Sequence, residues 1–319
     1  MKKIYKIIKL ILNPLYRFNV LTYYGFFNYL TDKNFLKTKF KLVFGKELNL
    51  DKPQTFNEKL QWLKLYDRNP LYTTMVDKYK VKEYVANIIG KEYIIPTLGV
   101  YNNTEEVDFD KLPNQFVLKC THDSGGLVIC KDKSKFNYKA AYKKINKSLK
   151  RIYFWQCREW PYKNVSRKII AEQYMEDNKT KELRDYKFFC FNGTPKMLFV
   201  ASDRQKPNEE TKFDFYDMRF NHLPFTNGHP NSSEVIEKPK NFELMKDLAR
   251  KLSQNIPHVR VDFYEINEKV YFGELTFSHW SGFVPFEPSE WDKKIGDWLI
   301  LPNKKNENKN FNRSRYCSY

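Results

Sequence analysis

The sequence predicts an α+β fold, on three observations. Segments of helical period and strand-like runs alternate without the regular strand–helix–strand rhythm of a parallel sheet. Two strand pairs are joined by short turns, at Asn192-Gly193 and at Asn267–Lys269, as antiparallel hairpins require. The chain of 319 residues, with 17% aromatics and only 11 glycines, can bury a large core and is not of disordered composition. That length fits one large domain of several lobes, or two domains.

The elements follow in order. In "MKKIYKIIKLILNPLYRFNVLTYYGFFNYL", Lys6 and Lys9 interrupt the apolar run, leaving it too short and too charged to span a bilayer. A signal peptide is disfavoured because no small-residue cleavage site follows. Lys2, Lys6 and Lys9 fall on one helical face, with Tyr5, Ile8 and Leu12 on another. That pattern suits a helix lying in a membrane interface and equally one packed on the protein's own surface. In "TFNEKLQWLKLYD", Thr55 and Glu58 form a capping box, and Phe56, Leu60 and Leu63 mark a helix. Asp77 caps a second helix, with Val81, Tyr84, Val85 and Ile88 as its core face and Gly90 as its end. Residues 94–101 read as a strand, and 116–131 as strand, polar glycine loop, strand. A basic amphipathic helix covers 137–150. "RKIIAEQYM" is a strand and "YKFFCFNGTPKMLFV" a hairpin. A helix over 241–256 aligns Leu244, Leu248 and Leu252, and the hairpin 259–277 follows. The tail 303–319 is polar and predicted to be disordered.

A net charge of +18 favours anionic partners, but it is mostly lysine and widely spread, so it chooses none. The five cysteines show no C-x-x-C spacing and the five histidines no H-E-x-x-H pair. This argues against a disulfide framework or zinc site and for a reducing compartment.

Three stretches carry polar groups suited to chemistry. In "VRVDFYEINEKVYFGELTF", a three-residue loop 267–269 sets Asp262 opposite Glu274 and Arg260 opposite Thr276. Val270, Phe272, Glu274 and Thr276 then share one face. Facing carboxylates repel, so the pair implies a cation between them; an ordinary amphipathic hairpin with a wet face fits as well. In "KCTHDSGG", Lys119 ends a strand and Ser124, Gly125 and Gly126 offer backbone amides to an anion, although a plain hairpin loop reads the same way. In "IIAEQYMEDNKTKELRDYKFF", Glu172 closes one strand while Asp185 and Lys187 share a face of the next. No convincing covalent nucleophile is present: His122 sits in the loop, and Cys120 is expected to point into the sheet.

Taken in order, these features resemble the ATP-grasp superfamily, and more closely its TupA-like branch. The resemblance covers roughly residues 40–300 and rests on "FGKELNLDKPQTFNEKLQWLKLYDRNP", "VDKYKVKEYV", "KCTHDSGG", "DYKFFCFNG" and the 259–277 stretch. It implies an ATP-grasp fold, with two α+β lobes enclosing ATP behind a mainly helical N-terminal region. The expected division is a basic N-terminal segment 1–31, a helical subdomain 32–101, a glycine-loop lobe 102–171, a metal-site lobe 172–302 and the tail 303–319. By the same resemblance, Lys78 and Lys119 contact ATP phosphates and Ser124, Gly125 and Gly126 close over them. Glu172, Gln173, Tyr174 and Met175 form the linker that reads adenine, Asp185 binds ribose, and Lys187 and the candidate Arg219 face phosphates. Arg260, with Lys119, steadies the transferred phosphoryl group. Asp262 and Glu274 hold Mg2+, with Thr276 in a position where many relatives have Asn.

The function implied is an ATP- and magnesium-dependent, ADP-forming ligase that works through an acyl phosphate. TupA-like proteins are associated with surface polysaccharide, which points to an amine or amino-acid donor and an acidic sugar or lipid-linked glycan acceptor. The expected location is cytoplasmic, with the N-terminal helix able to hold the chain at an anionic membrane; no nucleic acid is expected. The alternative is a capsular glycosyltransferase, using the D-x-D of Asp108 and Asp110. Those residues read more naturally as an acidic surface turn.

Overall fold

The computed structural model describes residues 2–178, 183–202 and 209–303. The tail expected to be disordered lies, from 304 onward, outside the described residues. The order runs α1 (Lys2–Leu12), α2 (Pro14–Tyr23), α3 (Asp32–Phe44), α4 (Phe56–Tyr66), α5 (Leu71–Val76), α6 (Lys80–Ile89), then β1 (Thr97–Tyr101), β2 (Phe116–Cys120) and β3 (Leu127–Cys130). It continues with α7 (Tyr138–Leu149), α8 (Phe154–Cys157), β4 (Ile169–Gln173), β5 (Asp185–Phe191), β6 (Thr194–Ser202), β7 (Lys212–Asp217), α9 (Phe242–Leu252), β8 (His258–Ile266), β9 (Lys269–Thr276) and α10 (Glu290–Trp298).

The strands form two sheets, ordered β1-β4-β2-β3 and β7-β6-β5-β8-β9, with every pairing antiparallel. The class is therefore α+β, as the sequence predicts.

The five-stranded sheet is covered on both faces, which explains why β5 is buried along its whole length. Phe188 and Cys190 point into a core shared with α5, α6 and α9, while Phe189 and Phe191 point into one shared with α3, α4 and α10. A smaller core beneath the four-stranded sheet joins Phe116, Leu118 and Ile169 to Ile145 of α7.

Local signals explain most of the elements. The capping box at Thr55 and Glu58 opens α4. Two faces shift from expectation. On α6 the buried positions are Val81, Val85 and Ile89, and Ile88 is exposed. On α9 Leu248 and Leu252 are buried with Phe242, Met245 and Ala249, while Leu244 is exposed. Each helix turns the stripe that its neighbour covers toward the core, and an aliphatic residue one step off that stripe, Ile88 or Leu244, faces water.

The β8–β9 hairpin departs from the predicted geometry in an informative way. Arg260 does oppose Thr276, and Asp262 opposes Glu274. The turn, however, holds two residues rather than three: Ile266 pairs with Lys269, and Asn267 and Glu268 both have positive φ. A bulge between Asp262 and Phe263 restores the expected register, Phe263 pairing with Phe272 and leaving Gly273 as the extra residue. A Cβ on Gly273 would lie 3.1 Å from the Asp262 carbonyl oxygen, so a bare backbone suits this position. Because of the bulge, Val270 and Phe272 do not share a face with Glu274 and Thr276. They join the core with Val261 and Phe263, while Glu274 and Thr276 turn to the other side.

Candidate active site

One face of the five-stranded sheet changes character along its length. Phe189 and Phe191 of β5 are packed in the core, whereas Lys187 and Asp185, two and four residues earlier on the same face, line a cleft. Opposite them stands the four-stranded sheet. The cleft between the sheets is lined by Lys119 and Glu172, by Lys78 and Lys82 from α6 and the turn before it, by the glycine loop, and by Glu274.

The acids and bases in the cleft are interleaved. Glu172 lies between two lysines, its carboxylate oxygens 2.5 Å from Lys82 Nζ and 2.5 Å from Lys119 Nζ. Burial alone would raise its pKa, but Lys119 and Lys82 outweigh burial and hold it at about 2. Lys187 pairs with Asp185 at 3.2 Å and with Asp262 across the strand.

Behind the cleft wall, Arg260 donates from Nε to Asp262 Oδ1 at 2.7 Å. From Nη2 it donates to Asp262 Oδ2 at 2.7 Å, Glu274 Oε1 at 3.1 Å and Thr276 Oγ1 at 3.0 Å. The cation that lets the facing carboxylates coexist is thus a guanidinium of the chain itself, assisted by Lys187. Burial would raise Glu274 as well, yet Lys187, Arg260 and Lys78 depress it to about 2.

The glycine loop is braced from below. Lys78 Nζ donates to the Asp123 carbonyl at 2.6 Å and Gly126 N to Asp123 Oδ1 at 2.9 Å, while Ser148 Oγ donates to the same carboxylate. Gly126 packs so closely that a Cβ would meet Cys120 Sγ and Ser148 Oγ at 2.5 Å. Ser124 and Gly125 are exposed at the tip. His122 is buried rather than loosely held, with Nε2 3.1 Å from the Arg151 carbonyl. Cys120 is buried in the sheet. Beside the charged cleft an apolar recess is walled by Ile95, Val117, Ile129 and Leu183, with Gln173, Tyr174 and Met175 at its edge.

Lys78, Lys119, Ser124, Gly126, Glu172, Asp185, Lys187 and Glu274 therefore meet at one cleft. Arg260, Asp262 and Thr276 sit immediately behind Glu274 and are joined to it by the arginine. Arg219 is elsewhere: it is exposed in a turn after β7, the edge strand farthest from β9, with its backbone N–H on Asp217 Oδ1. Asp108 is in another surface turn, capping Asp110 N at 3.1 Å and paired with Lys111 at 2.9 Å, and neither acid lines the cleft. Sequence reasoning missed Lys82. Its position four residues after Lys78, one turn into the helix that Lys78 leads into, was the available signal, since that spacing puts both on one side.

The donors available to a cation are all oxygens: the carboxylates of Asp262 and Glu274 and the hydroxyl of Thr276. Among the described residues no group of three or more His, Cys, Asp or Glu gathers that could hold a metal ion unaided. This set fits magnesium, which uses one or two carboxylates and takes its other ligands from water and substrate phosphates.

A family model described as TupA-like ATPgrasp matches residues 58–300. Three solved structures are similar. A D-alanine–D-alanine ligase from Helicobacter pylori matches 79% of this chain and 68% of its own, at 14% identity and a TM-score of 0.41. The corresponding ligase from Bacillus anthracis, complexed with ATP, matches 66% and 57%, at 15% identity and 0.38. The ATP-grasp ligase PsnB, complexed with a minimal precursor, matches 71% and 62%, at 9% identity and 0.39. The chain spans less than two thirds of the length of the last two. At such scores the likeness bears on neither substrate nor residue roles. No curated protein matches the chain.

Proposed function

The chain belongs to the TupA-like ATP-grasp family, and we propose that it is an ATP- and magnesium-dependent ligase joining an amine or amino acid to a carboxylate through an acyl phosphate. The observation that carries this reading is the cleft between the sheets. There Lys78, Lys82, Lys119 and Lys187 surround a space with Asp185 and Glu274 on its wall. Such a ring of cations suits a triphosphate, and the recess bounded by Gln173–Met175 suits an adenine whose edge is read by backbone. In this reading Asp185 takes the ribose hydroxyls, and Lys119 with the Ser124–Gly126 loop holds the terminal phosphate. Arg260 bears on the charge that develops in transfer, without a proton to lose. Magnesium, when bound at Glu274 and Asp262, supplies charge on phosphate oxygens.

The acceptor in this proposal is a uronic acid of capsular or other surface polysaccharide. The net charge of +18 is compatible with an acidic glycan, and the choice among anions rests on the association of TupA-like proteins with surface polysaccharide. We further propose that the chain is cytoplasmic and works at an anionic membrane face. Among the described residues no helix is long and apolar enough to cross a membrane. Of the two readings left open for the N-terminal helix, exposure favours the interfacial one. Ile4, Tyr5, Ile7, Ile8, Ile11 and Leu12 of α1 are all exposed, as are Tyr24, Phe26 and Tyr29 beyond α2.

The test is to supply ATP labelled in the γ-phosphate with a panel of uronic acids and amines. Label in free phosphate together with a new amide is the expected result. Formation of AMP and pyrophosphate would overturn the acyl-phosphate reading. A new glycosidic bond from a sugar nucleotide, made without ATP, would assign the chain to the glycosyltransferases.

A further inference from the structure

We propose that His279 and Asn227 are positioning residues that hold Arg260 against Asp262 and Glu274 through a hydrogen-bond chain of one fixed polarity. Arg260 Nη1 lies 2.9 Å from His279 Nδ1, and His279 Nε2 lies 2.9 Å from Asn227 Oδ1. Asn227 Nδ2 donates in turn to the carbonyls of Val284 at 3.1 Å and Pro285 at 2.9 Å. His279 and Asn227 are both buried, at 3% and 1% exposure, so no solvent completes these contacts.

The polarity is dictated from both ends. A guanidinium can only donate, so Nδ1 must accept and the ring's proton sits on Nε2. Backbone carbonyls can only accept, so Asn227 must turn its nitrogen to them and its oxygen to the ring. Each donor therefore points the same way, from Arg260 to His279 to Asn227 to the 284–285 backbone, and aligned bonds of this kind reinforce one another. Burial and the neighbouring Arg260 both keep the imidazole neutral, in keeping with this arrangement.

The support behind the chain is stiff. Trp280, Ser281 and Gly282, directly after His279, all have positive φ. That turn is pinned by α4: Lys64 Nζ donates to the Ser281 carbonyl at 2.7 Å and Gln61 Nε2 to the Gly282 carbonyl at 2.8 Å. Strained backbone persists where the surroundings over-determine it, and here it places the ring under the arginine.

Arg260 then has one hydrogen-bonded side-chain anchor, the His279 ring nitrogen, that is not among the oxygens offered to a cation. Its contacts to Asp262, Glu274 and Thr276 compete with any cation drawn to those oxygens, whereas the contact to His279 does not. The proposal rests on the ligase reading for what Arg260 acts upon; the hydrogen-bond chain itself does not.

Two measurements on the full chain test it. The first correlates ring nitrogens and protons of the 15N-labelled wild-type protein at neutral pH, with His279 assigned by its absence in His279→Phe, or in His279→Asn should the Phe variant not fold. A protonated Nε2 with a bare Nδ1 is expected. A protonated Nδ1 or an imidazolium would overturn the proposal. The second follows ADP release from magnesium-ATP supplied with the same panel of uronic acids, whose carboxylate takes the γ-phosphoryl group, and of amines, which displace the phosphate. His279→Phe should lower kcat about 100-fold, the scale set by small misplacements of a reacting group. KM for ATP should stay within about threefold, since ground-state binding is spared. His279→Asn, whose Oδ1 can stand in for Nδ1, should restore most of the rate. Equal loss in both variants, an effect on KM alone, or an undiminished kcat in a folded His279→Phe would each refute it. If wild-type protein releases no ADP, the ligase reading fails, and the ring spectrum still decides the positioning claim.

Discussion

Replacing Glu172 with Gln puts the electrostatics of the cleft to a quantitative test. The carboxylate is 6% exposed and lies 2.5 Å from both Lys82 and Lys119, so the variant leaves two cations facing a neutral amide. In the folded chain Glu172 titrates at about 2, against an ordinary value of 4.5. With each tenfold change in proton affinity worth about 1.4 kcal/mol, the ionised form contributes about 3 kcal/mol at neutral pH. Removing one partner of a buried pair costs about 3–5 kcal/mol by a separate route, so the two magnitudes agree. The sign follows from the depressed value. The contribution is fully present above about pH 4.5 and is lost as pH falls through about 2. Urea unfolding of wild type and Glu172→Gln should therefore show a gap of about 3 kcal/mol at pH 7, shrinking to roughly half of that at pH 3. Added magnesium-ATP should narrow the pH 7 gap, as phosphate oxygens become the counter-charge for the lysines. A gap under about 1 kcal/mol at pH 7, or one that does not shrink in acid, would refute the reasoning.

Three further outcomes are expected. ATP should bind weakly in EDTA and tightly with magnesium, and Glu274→Gln should cut ADP release by about 100-fold or more while the thermal midpoint moves little, because the Glu274 side chain is 41% exposed and solvent screens its pairing with Arg260. The amide still offers Arg260 Nη2 an acceptor, so isothermal titration and a melting curve on this one variant separate a site role from a fold role. Undiminished ADP release would count against Glu274, above all if Asp110→Ala were the inactive variant. Deleting residues 1–12 should weaken pelleting with anionic vesicles and lessen its salt sensitivity, because four lysines at about 1 kcal/mol each are removed. Unchanged pelleting would place α1 on another surface.

Much of this architecture was legible in the chain because it rests on local rules. The Thr55/Glu58 cap, the Asn192-Gly193 turn and the alternation of Val259, Val261 and Phe263 each specify their element without distant help. What was not legible depends on partners. No local rule distinguishes Ile88 from Ile89 as the residue that α6 buries, since the answer lies in the neighbouring elements. The same holds for Glu172. The sequence shows an acid at the end of a strand, but its two lysines come from α6 and β2, 90 and 53 positions earlier. The Asp262–Glu274 opposition was predicted from a loop one residue too long, and it survived because a bulge supplied the missing step. His279 and Asn227 gave no signal in isolation; 52 residues separate them, and only the fold brings them to Arg260.

That bulge also makes the hairpin behave as two segments set independently. On the tip side of Gly273, pairing is governed by the Asn267-Glu268 turn; on the far side, by Arg260, Asp262 and their partners. An insertion or deletion near the tip can be absorbed at this joint, where one unpaired residue already accommodates a change of phase. The tip is therefore free to drift in length and composition over generations without dragging Glu274 off its face. The joint itself is not free: with the Asp262 carbonyl oxygen 3.1 Å from where a Cβ would stand, lineages that vary at the tip should still keep the smallest residue at position 273.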